Sequence, residues 1–324
     1  MKRDMAGSFQ VNGGTGKVIR TCVVDGHLEI YKIDKTFRAK TPDGLDLERK
    51  NPDMPWVISE HSEYGCGHPV VARLLLQSRD ILQGALFSRA IDQEKIVTVL
   101  YDSKELILKC ESIMLALGQE MDGIETPLRE KGGEMDDNLR YINPFPQVKD
   151  LNDLCSRFLV SAKRCIQNYA VLIDHFYGTG IRAPRFHKIK EWARNNVGED
   201  SYLFKIVSEQ EPEFLRIINL RNFQEHPNED KKTEIKNYTL LPEMAIKQPE
   251  WFVTGEDSKY IFEDMRDITS YLFQIGEMLF LHSVLENVSK SYPYKIYMVE
   301  EEKIDENCPI AYRLSIDDSK LKKI

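Results

Sequence analysis

An arginine, an amide and an imidazole lie close together in the chain at Arg221, Asn222 and His226. An imidazole titrates near neutral pH and can move a proton between reacting groups. A guanidinium keeps its charge and offers a rigid fork of donors that matches phosphate oxygens, and an amide can orient either neighbour. These side chains together can cleave RNA without a metal ion. In that chemistry His226 takes the proton of the 2′-hydroxyl, and Arg221 stabilises the charge that grows on the phosphate.

These residues are expected at the end of one amphipathic helix. Pro227 disfavours the α conformation of the residue before it, so the helix is expected to stop at His226. Residues four apart share a helix face, which places Asn222 beside His226, whereas Arg221 must bend towards them. An alternative stays open, because Arg and His at a helix C-terminus often only bind the last carbonyls and complement the dipole. The apolar residues that predict the helix are Phe214, Leu215, Ile217, Ile218 and Phe223.

The order of Arg221, Asn222 and His226, late in a helix of an all-helical region, resembles the active-site motif of the HEPN domain superfamily. The resemblance covers residues 150–290 well and 68–121 loosely. It implies a helical bundle that usually dimerises and, in many members, a metal-independent endoribonuclease that needs no cofactor. It also implies toxin–antitoxin, phage-defence or stress-response contexts, with an antitoxin or regulatory protein as a partner. Some members are non-catalytic modules that bind RNA, nucleotide or protein, and this alternative stays open.

Composition limits how such a protein can bind RNA. Of the 324 residues, 42% are hydrophobic and 30% are charged, as in soluble globular proteins. The net charge of −8 repels phosphate on average, so RNA must be bound by a local basic patch. The polar N-terminal residues and the polar interruptions within 271–285 predict neither a signal peptide nor a membrane span. Six scattered cysteines indicate reduced thiols in a cytoplasmic protein.

The densest basic stretch of the chain precedes the motif helix. We expect it to bind RNA phosphates, and Phe186 and Trp192 within it can stack on bases. The alternatives are a solvated helix face and aromatics that pack in the core. No metal site is predicted, because Cys66 and His68 are the one local Cys/His pair and a metal needs more ligands. The basic residues are Arg182, Arg185, His187, Lys188, Lys190 and Arg194.

The pattern of the whole chain predicts a mainly α fold with small β elements at both termini. We expect an antiparallel, HEPN-like helical bundle over 61–290, a β-rich segment over 1–60 and a β-leaning segment over 291–324. The terminal strands either pair with one another or cap the bundle. Two short segments, 238–241 and 251–253, are expected to pair as a hairpin or to lie over the bundle.

Local signals predict the individual elements. Asp25-Gly26 between two strand-like runs predicts a hairpin of 18–24 with 27–33, followed by an irregular stretch over 34–60. Apolar residues at helical spacing predict further helices. Gly123 begins a breaker-rich interval that extends to Pro146 and is expected to be a loop or domain boundary. The predicted helices are one from His68, one over 96–117, one over 150–177 and one over 257–288.

A homodimer is also expected. In-line attack on a phosphodiester gains from a base on one side and an acid on the other, and a two-fold axis beside the motif supplies both. The 257–288 helix has an apolar stripe wider than one partner helix requires. Either a second subunit or the chain's own 68–121 helices cover it. The residues of the wider flank are Tyr271, Met278, Leu281 and Leu285.

Overall fold

The order of helices and strands comes from a computed structural model that describes residues 10–24, 26–130, 144–243 and 245–317. The fold is mainly α, as predicted, with about 51% helix and several small sheets. A π-helix over Val70–Gln77 leads directly into α2. The α-helices are α1 (Pro42–Leu45), α2 (Ser78–Gly84), α3 (Gln93–Glu130), α4 (Leu151–Tyr177), α5 (Phe186–Asn196), α6 (Tyr202–Glu225) and α7 (Ile261–Asn287).

The strands are short and pair antiparallel. One sheet has the order β1-β2-β3-β4, another has the order β5-β8-β9, and two are hairpins, β6-β7 and β10-β11. The strands are β1 (Arg20–Val24), β2 (His27–Tyr31), β3 (Thr36–Lys40), β4 (Val57–Ser62), β5 (Thr233–Lys236), β6 (Thr239–Leu240), β7 (Ile246–Lys247), β8 (Glu250–Val253), β9 (Lys259–Tyr260), β10 (Tyr294–Met298) and β11 (Tyr312–Ile316).

The N-terminal hairpin is confirmed, and the stretch after it is corrected. Val24 pairs with His27 across the turn, where Gly26 has a φ of +72° that L side chains rarely adopt. Residues 34–60 are not irregular, because they hold β3, α1 and most of β4. The prolines suggested a loop, but Pro42 starts α1 behind Thr41, whose side chain caps the helix. Five-residue strands are too short to show a clear period in the sequence.

The other strand pairings also differ from the sequence predictions. β10 pairs with β11, Tyr294 opposite Ile316, and the N-terminal strands form a sheet of their own. The terminal β segments therefore do not pair with each other. The 238–241 and 251–253 segments do not pair either, because β6 pairs with β7 and β8 pairs with β5 and β9. Pairing over a short loop costs less chain entropy than pairing over a long one.

The long helices lie where periodicity predicted them. α4 and α7 match the predicted 150–177 and 257–288 segments within a few residues. α3 is longer than predicted, because Gly123 and Pro127 lie inside it rather than in a loop. A glycine in a helix costs about 1 kcal/mol, which packing along the rest of α3 outweighs. Residues 131–143 of the predicted breaker interval lie outside the described residues.

The chain divides into two compact units, each assembled from separate stretches. The first comprises Met1–Lys104, Leu172–Gly180 and Gly276–Ile324. The second comprises Glu105–Val171 and Ile181–Ile275. The sequence prediction instead divided the chain into three consecutive segments. Long helices explain the interleaving, because α3, α4 and α7 each contribute residues to both units. The candidate motif and the basic stretch belong to the second unit, and the four-stranded sheet belongs to the first.

The wide apolar stripe of α7 is used largely within its own chain. Leu281 is buried, and the ring of Tyr271 packs edge-on against Phe214, whereas Met278 is exposed. By length and composition, α7 is the one helix in the described ranges that could cross a membrane, and 61% of its most apolar window is buried. That burial is typical of a core helix.

Candidate functional site

The motif lies at the end of α6, which begins and ends on clear local signals. The side chain of Ser201 caps the start of α6 by accepting a hydrogen bond from the backbone N–H of Phe204 at 3.1 Å. At the other end, the N–H of His226 donates to the carbonyl of Asn222 at 2.8 Å, and His226 itself leaves the helical conformation. The stop predicted from Pro227 is confirmed. Buried residues such as Phe214 and Ile217 anchor the helix in the second unit.

One carboxylate lies between the arginine and the histidine of the motif. Glu225 forms an ion pair with Arg221 across one helical turn, and its Oε2 also lies 3.5 Å from Nε2 of His226. The Arg221 side chain is only 19% exposed, whereas that of His226 is 76% exposed. The structure thus places both side chains beside the same oxygen, with the guanidinium half-buried and the imidazole open to solvent.

A lysine from another helix completes the group. Lys163 on α4 donates a hydrogen bond from Nζ to Oδ1 of Asn222 at 2.7 Å. Partial burial lowers the pKa of Lys163, and the positive charge of Arg221 lowers it further. The two cations are therefore near enough to repel each other. We refer to Lys163, Arg221, Asn222, Glu225 and His226 as the motif cluster.

The motif cluster has the groups that phosphate chemistry needs. Arg221 and Lys163 supply two cations at a helix end, and His226 supplies an accessible proton carrier. The carboxylate of Glu225 can accept a hydrogen bond from either neighbour. Sequence reasoning missed both Glu225 and Lys163. The position of Glu225, four residues after Arg221, is a local signal that points to it. Lys163 is 59 residues away from Asn222, and only folding brings it there.

The basic stretch ahead of the motif is partly committed to other contacts. Lys190 forms an ion pair with Glu211, and Arg194 forms one with Glu199 at 2.8 Å. The guanidinium of Arg194 also lies over the ring of Phe204, 5.3 Å from its centroid. The side chains of this stretch that are exposed to solvent are Arg182, Arg185, His187, Lys188 and Arg194.

The aromatic residues within the stretch do not both remain available to bases. Phe186 is buried, and its ring centroid lies 4.3 Å from that of Phe214 on α6. The prediction that Phe186 stacks on bases is therefore wrong, because its position on α5 faces the core of the second unit. Trp192 is partly buried.

The start of α5 lies nearest to the motif cluster. Phe186 packs opposite Phe214, and Arg194 packs opposite Phe204, so α5 runs antiparallel along the first half of α6. From Phe214 to Arg221 the helix rises roughly 10 Å. A phosphate backbone can bridge that distance, so Arg185 is better placed beside the motif than Arg194.

The cysteine, histidine and acidic side chains are the possible ligands of a metal ion. All six cysteines are free and buried. Within the part of the chain that the structure describes, no three His, Cys, Asp or Glu side chains are grouped so that they could hold a metal ion.

No family model, no curated protein and no solved structure matches the chain.

Proposed function

We propose that this protein is a metal-independent endoribonuclease of the HEPN type and that the motif cluster is its active site. The observation that carries the proposal is the position of Arg221 and His226 beside one oxygen of Glu225 at an exposed helix end, with Lys163 held nearby by Asn222. Cations beside an accessible imidazole can bind the charged phosphate of a phosphodiester while the imidazole transfers a proton. The HEPN-like helical bundle is part of the same proposal, which the motif and the mainly α fold support.

In the proposed reaction His226 takes the proton of the 2′-hydroxyl, and the 2′-oxygen then forms a bond to phosphorus. The bond from phosphorus to the 5′-oxygen breaks, and that oxygen takes a proton from a second acid. The products are a 2′,3′-cyclic phosphate and a free 5′-hydroxyl. Arg221 and Lys163 stabilise the negative charge of the transition state. Asn222 holds Lys163 in place, and Glu225 positions the side chains of Arg221 and His226.

The second acid is the reason to propose a homodimer, in which the imidazole of a second subunit donates the proton. RNA reaches the site over the exposed basic residues before and at the start of α5, among which Arg185 is better placed beside the motif than Arg194 is. The proposed setting is the cytoplasm, within a toxin–antitoxin, phage-defence or stress system in which an antitoxin or regulatory protein restrains the enzyme.

One observation favours a second candidate, a non-catalytic HEPN-like module that binds RNA, nucleotide or protein. The guanidinium of Arg221 is already paired with Glu225. In a helix-end pair of this kind, Arg221 and Glu225 stabilise α6 and need not touch a phosphate. Binding without cleavage would distinguish this module from the enzyme.

A cleavage assay tests the proposal directly. Purified protein is incubated with an end-labelled single-stranded RNA in EDTA, and the termini of the products are identified. We expect cleavage that persists in EDTA and leaves 2′,3′-cyclic phosphate ends. His226→Ala and Arg221→Ala should each reduce the rate by at least about 100-fold, as expected when a proton-transfer or charge-stabilising group is lost.

The matched control is His27→Ala, which removes an imidazole from the start of β2 and should cleave at the wild-type rate. Circular dichroism of each variant checks that α6 and its neighbours remain folded. Full activity of His226→Ala, or loss of wild-type activity in EDTA, would disprove the proposed mechanism. Wild-type protein that binds RNA and never cleaves it would favour the second candidate.

A further inference from the structure

Two cysteines that are far apart in the sequence lie against each other in the first unit. Cys66 follows β4, and Cys308 precedes β11. Both are buried, and both are free thiols. The thiol of Cys66 donates a hydrogen bond to the sulfur of Cys308. Its sulfur also lies 3.2 Å from the carbonyl oxygens of Lys32 and Asn307, the second of which is one residue before Cys308. The two sulfurs are therefore in direct contact.

Cys66 is held in place by backbone that packs on backbone. Its N–H donates to the carbonyl of Lys32 at 2.8 Å, and the N–H of Gly67 donates to that of Ile33 at 2.8 Å. A Cβ added at Gly65 would lie 2.2 Å from the carbonyl oxygen of Lys32. One added at Gly67 would lie 2.8 Å from that of Ile33. The two glycines therefore allow the loop to press against the turn between β2 and β3, which fixes the cysteine between them.

Cys308 lies in a compact turn of its own. Its N–H donates to the carbonyl of Asp305 at 2.9 Å, and its carbonyl accepts from the N–H of Ile310 at 2.8 Å. The side chain of Asp305 also accepts from the N–H of Asn307 at 2.9 Å. Hydrogen bonds thus fix the backbone of both cysteines. Little conformational entropy remains to be lost when their sulfurs are joined.

The two sulfurs differ in how readily they lose a proton. The hydrogen bond from Cys66 lowers the pKa of Cys308, and the positive charge of Arg20 lowers it further against the opposing effect of burial. The same hydrogen bond, together with burial, raises the pKa of Cys66. Burial also raises the pKa of each of the other four cysteines. Cys308 is therefore the cysteine that most readily forms a thiolate.

A cavity lies beside Cys308. It has a volume of about 480 Å³, and Arg20, Asp80 and Ile310 are among the residues that line it. Arg20 and Asp80 form an ion pair at 3.2 Å, and the charges of both act on the sulfur of Cys308. Cys308 itself is only 6% exposed, which favours a small oxidant. Hydrogen peroxide is small and uncharged, so it can enter the cavity without disturbing the ion pair.

We propose that Cys66 and Cys308 form an intramolecular disulfide when the protein meets a peroxide. The thiolate of Cys308 attacks one oxygen of hydrogen peroxide, the O–O bond breaks, and the released hydroxide takes a proton to become water. Cys308 is then a sulfenic acid. The sulfur of Cys66 attacks the sulfur of Cys308, the S–O bond breaks, and the hydroxyl leaves with the proton of Cys66 as a second water. The two thiols lose two electrons in all, which reduce the peroxide.

The disulfide links the stretch that leads into the π-helix with the stretch that leads into β11, both in the first unit. It shares no residue with the motif cluster. The pair is therefore independent of the proposed ribonuclease activity.

Peptide mass mapping of the full-length protein tests the pair. The reduced protein is treated with hydrogen peroxide, and catalase removes the peroxide before the remaining thiols are alkylated in denaturant. We expect a linked pair of peptides that contain Cys66 and Cys308, while the other four cysteines are alkylated. Dithiothreitol should restore both thiols. The thiol of Cys308 should be lost at least about ten times faster than that of Cys155, which is buried in α4 and has a raised pKa.

Variants separate the roles of the two sulfurs. Cys66→Ser keeps a hydroxyl that can donate to Cys308 but cannot form the disulfide, so the reaction should stop at a sulfenic acid of Cys308 that dimedone traps. Cys308→Ser should leave Cys66 as a free thiol that gains no dimedone. The matched control is Cys155→Ser in the second unit, which should form the disulfide at the wild-type rate. Circular dichroism checks the fold of each variant, and if one does not fold, the mapping of the wild-type protein decides alone.

Three results would overturn the assignment. In the first, Cys66 and Cys308 both stay alkylated at a peroxide concentration that oxidises free cysteine in the same solution. In the second, peptides that join other cysteines are as abundant as the pair of Cys66 with Cys308. In the third, dimedone labels Cys66 in folded Cys308→Ser as fast as it labels Cys308 in Cys66→Ser, so that Cys308 is not the preferred nucleophile.

Discussion

Glu225 lies between the two groups on which the proposed chemistry depends. Its Oε2 contacts both the guanidinium of Arg221 and the imidazole of His226. In the absence of RNA, this carboxylate offsets one of the two cations of the motif cluster. In the proposed enzyme, RNA competes with this carboxylate for Arg221, since a phosphate and a carboxylate use the same donors. The proposal therefore predicts that Glu225 weakens phosphate binding.

Replacement of Glu225 tests that competition. Glu225→Gln should tighten binding of a non-cleavable 2′-O-methyl RNA about fourfold at low salt, because one charge about 5 Å from the phosphate in water is worth roughly 0.8 kcal/mol. The slope of log affinity against log salt should steepen by about 0.7, since Arg221 then neutralises one more phosphate. Fluorescence anisotropy at several salt concentrations measures both quantities.

Glu306→Gln is the control for Glu225→Gln, because it makes the same change in net charge at an exposed position of the first unit. It should leave affinity and slope unchanged. Equal effects of the two variants would mean that net charge, and not the pair of Arg221 with Glu225, governs binding.

At the scale of elements, α3 carries two glycines in different surroundings. A Cβ added at Gly118 would lie 2.7 Å from the ring of Phe262 on α7, whereas nothing lies within 4 Å of one added at Gly123. Gly118 therefore permits close approach of two helices in the second unit. Gly123 has no such role and only weakens the helix. The same residue type thus has opposite effects on stability at two positions of one helix, Gly118 and Gly123.

This contrast predicts opposite effects of two matched substitutions. Gly123→Ala should raise the free energy of unfolding by about 0.5–1 kcal/mol, the difference in helix propensity between the two residues. Gly118→Ala should lose that gain and lower stability, because Phe262 must move. Denaturant unfolding followed by circular dichroism measures both. Equal stabilisation by the two substitutions would show that α3 and α7 do not need the close approach at Gly118.

At the scale of the whole molecule, the surface beside the motif is better suited to a partner than the α7 stripe is. Val160 on α4 and Leu215 on α6 are 36% and 41% exposed. Val160 precedes Lys163 by about one turn, and Leu215 precedes Asn222 by two turns, so both are expected on the faces that carry the motif cluster. An isologous contact over them would bring two copies of His226 towards one axis.

The dimer prediction follows from that surface. Light scattering should give twice the mass of one chain, and Val160→Glu with Leu215→Glu should give a folded monomer that cleaves RNA at least about 100-fold more slowly. Leu47→Glu, at an exposed apolar residue of the first unit, should remain dimeric and active. A wild-type monomer with full activity would rule out a composite site.

Much of the secondary structure and part of the motif cluster can be predicted from the sequence. Apolar spacing located α4, α6 and α7, Pro227 located the end of α6, and Asp25-Gly26 located the first hairpin. These signals are local, because a turn or a helical period involves residues within a few positions of each other. The pairing of Arg221 with Glu225 belongs to the same class, since the two lie one helical turn apart.

Only the tertiary structure decided which side chains meet. Lys163 reaches Asn222, Phe186 enters the core, and Glu29 joins Arg38 to Tyr101, because faces of distant elements pack together. Local sequence does not encode these contacts, since many partners satisfy the same periodicity. Burial then sets the cost of each charge and whether an aromatic ring remains exposed. The long-range contact of Lys163 with Asn222 adds a second cation to the locally encoded group of Arg221, Asn222, Glu225 and His226.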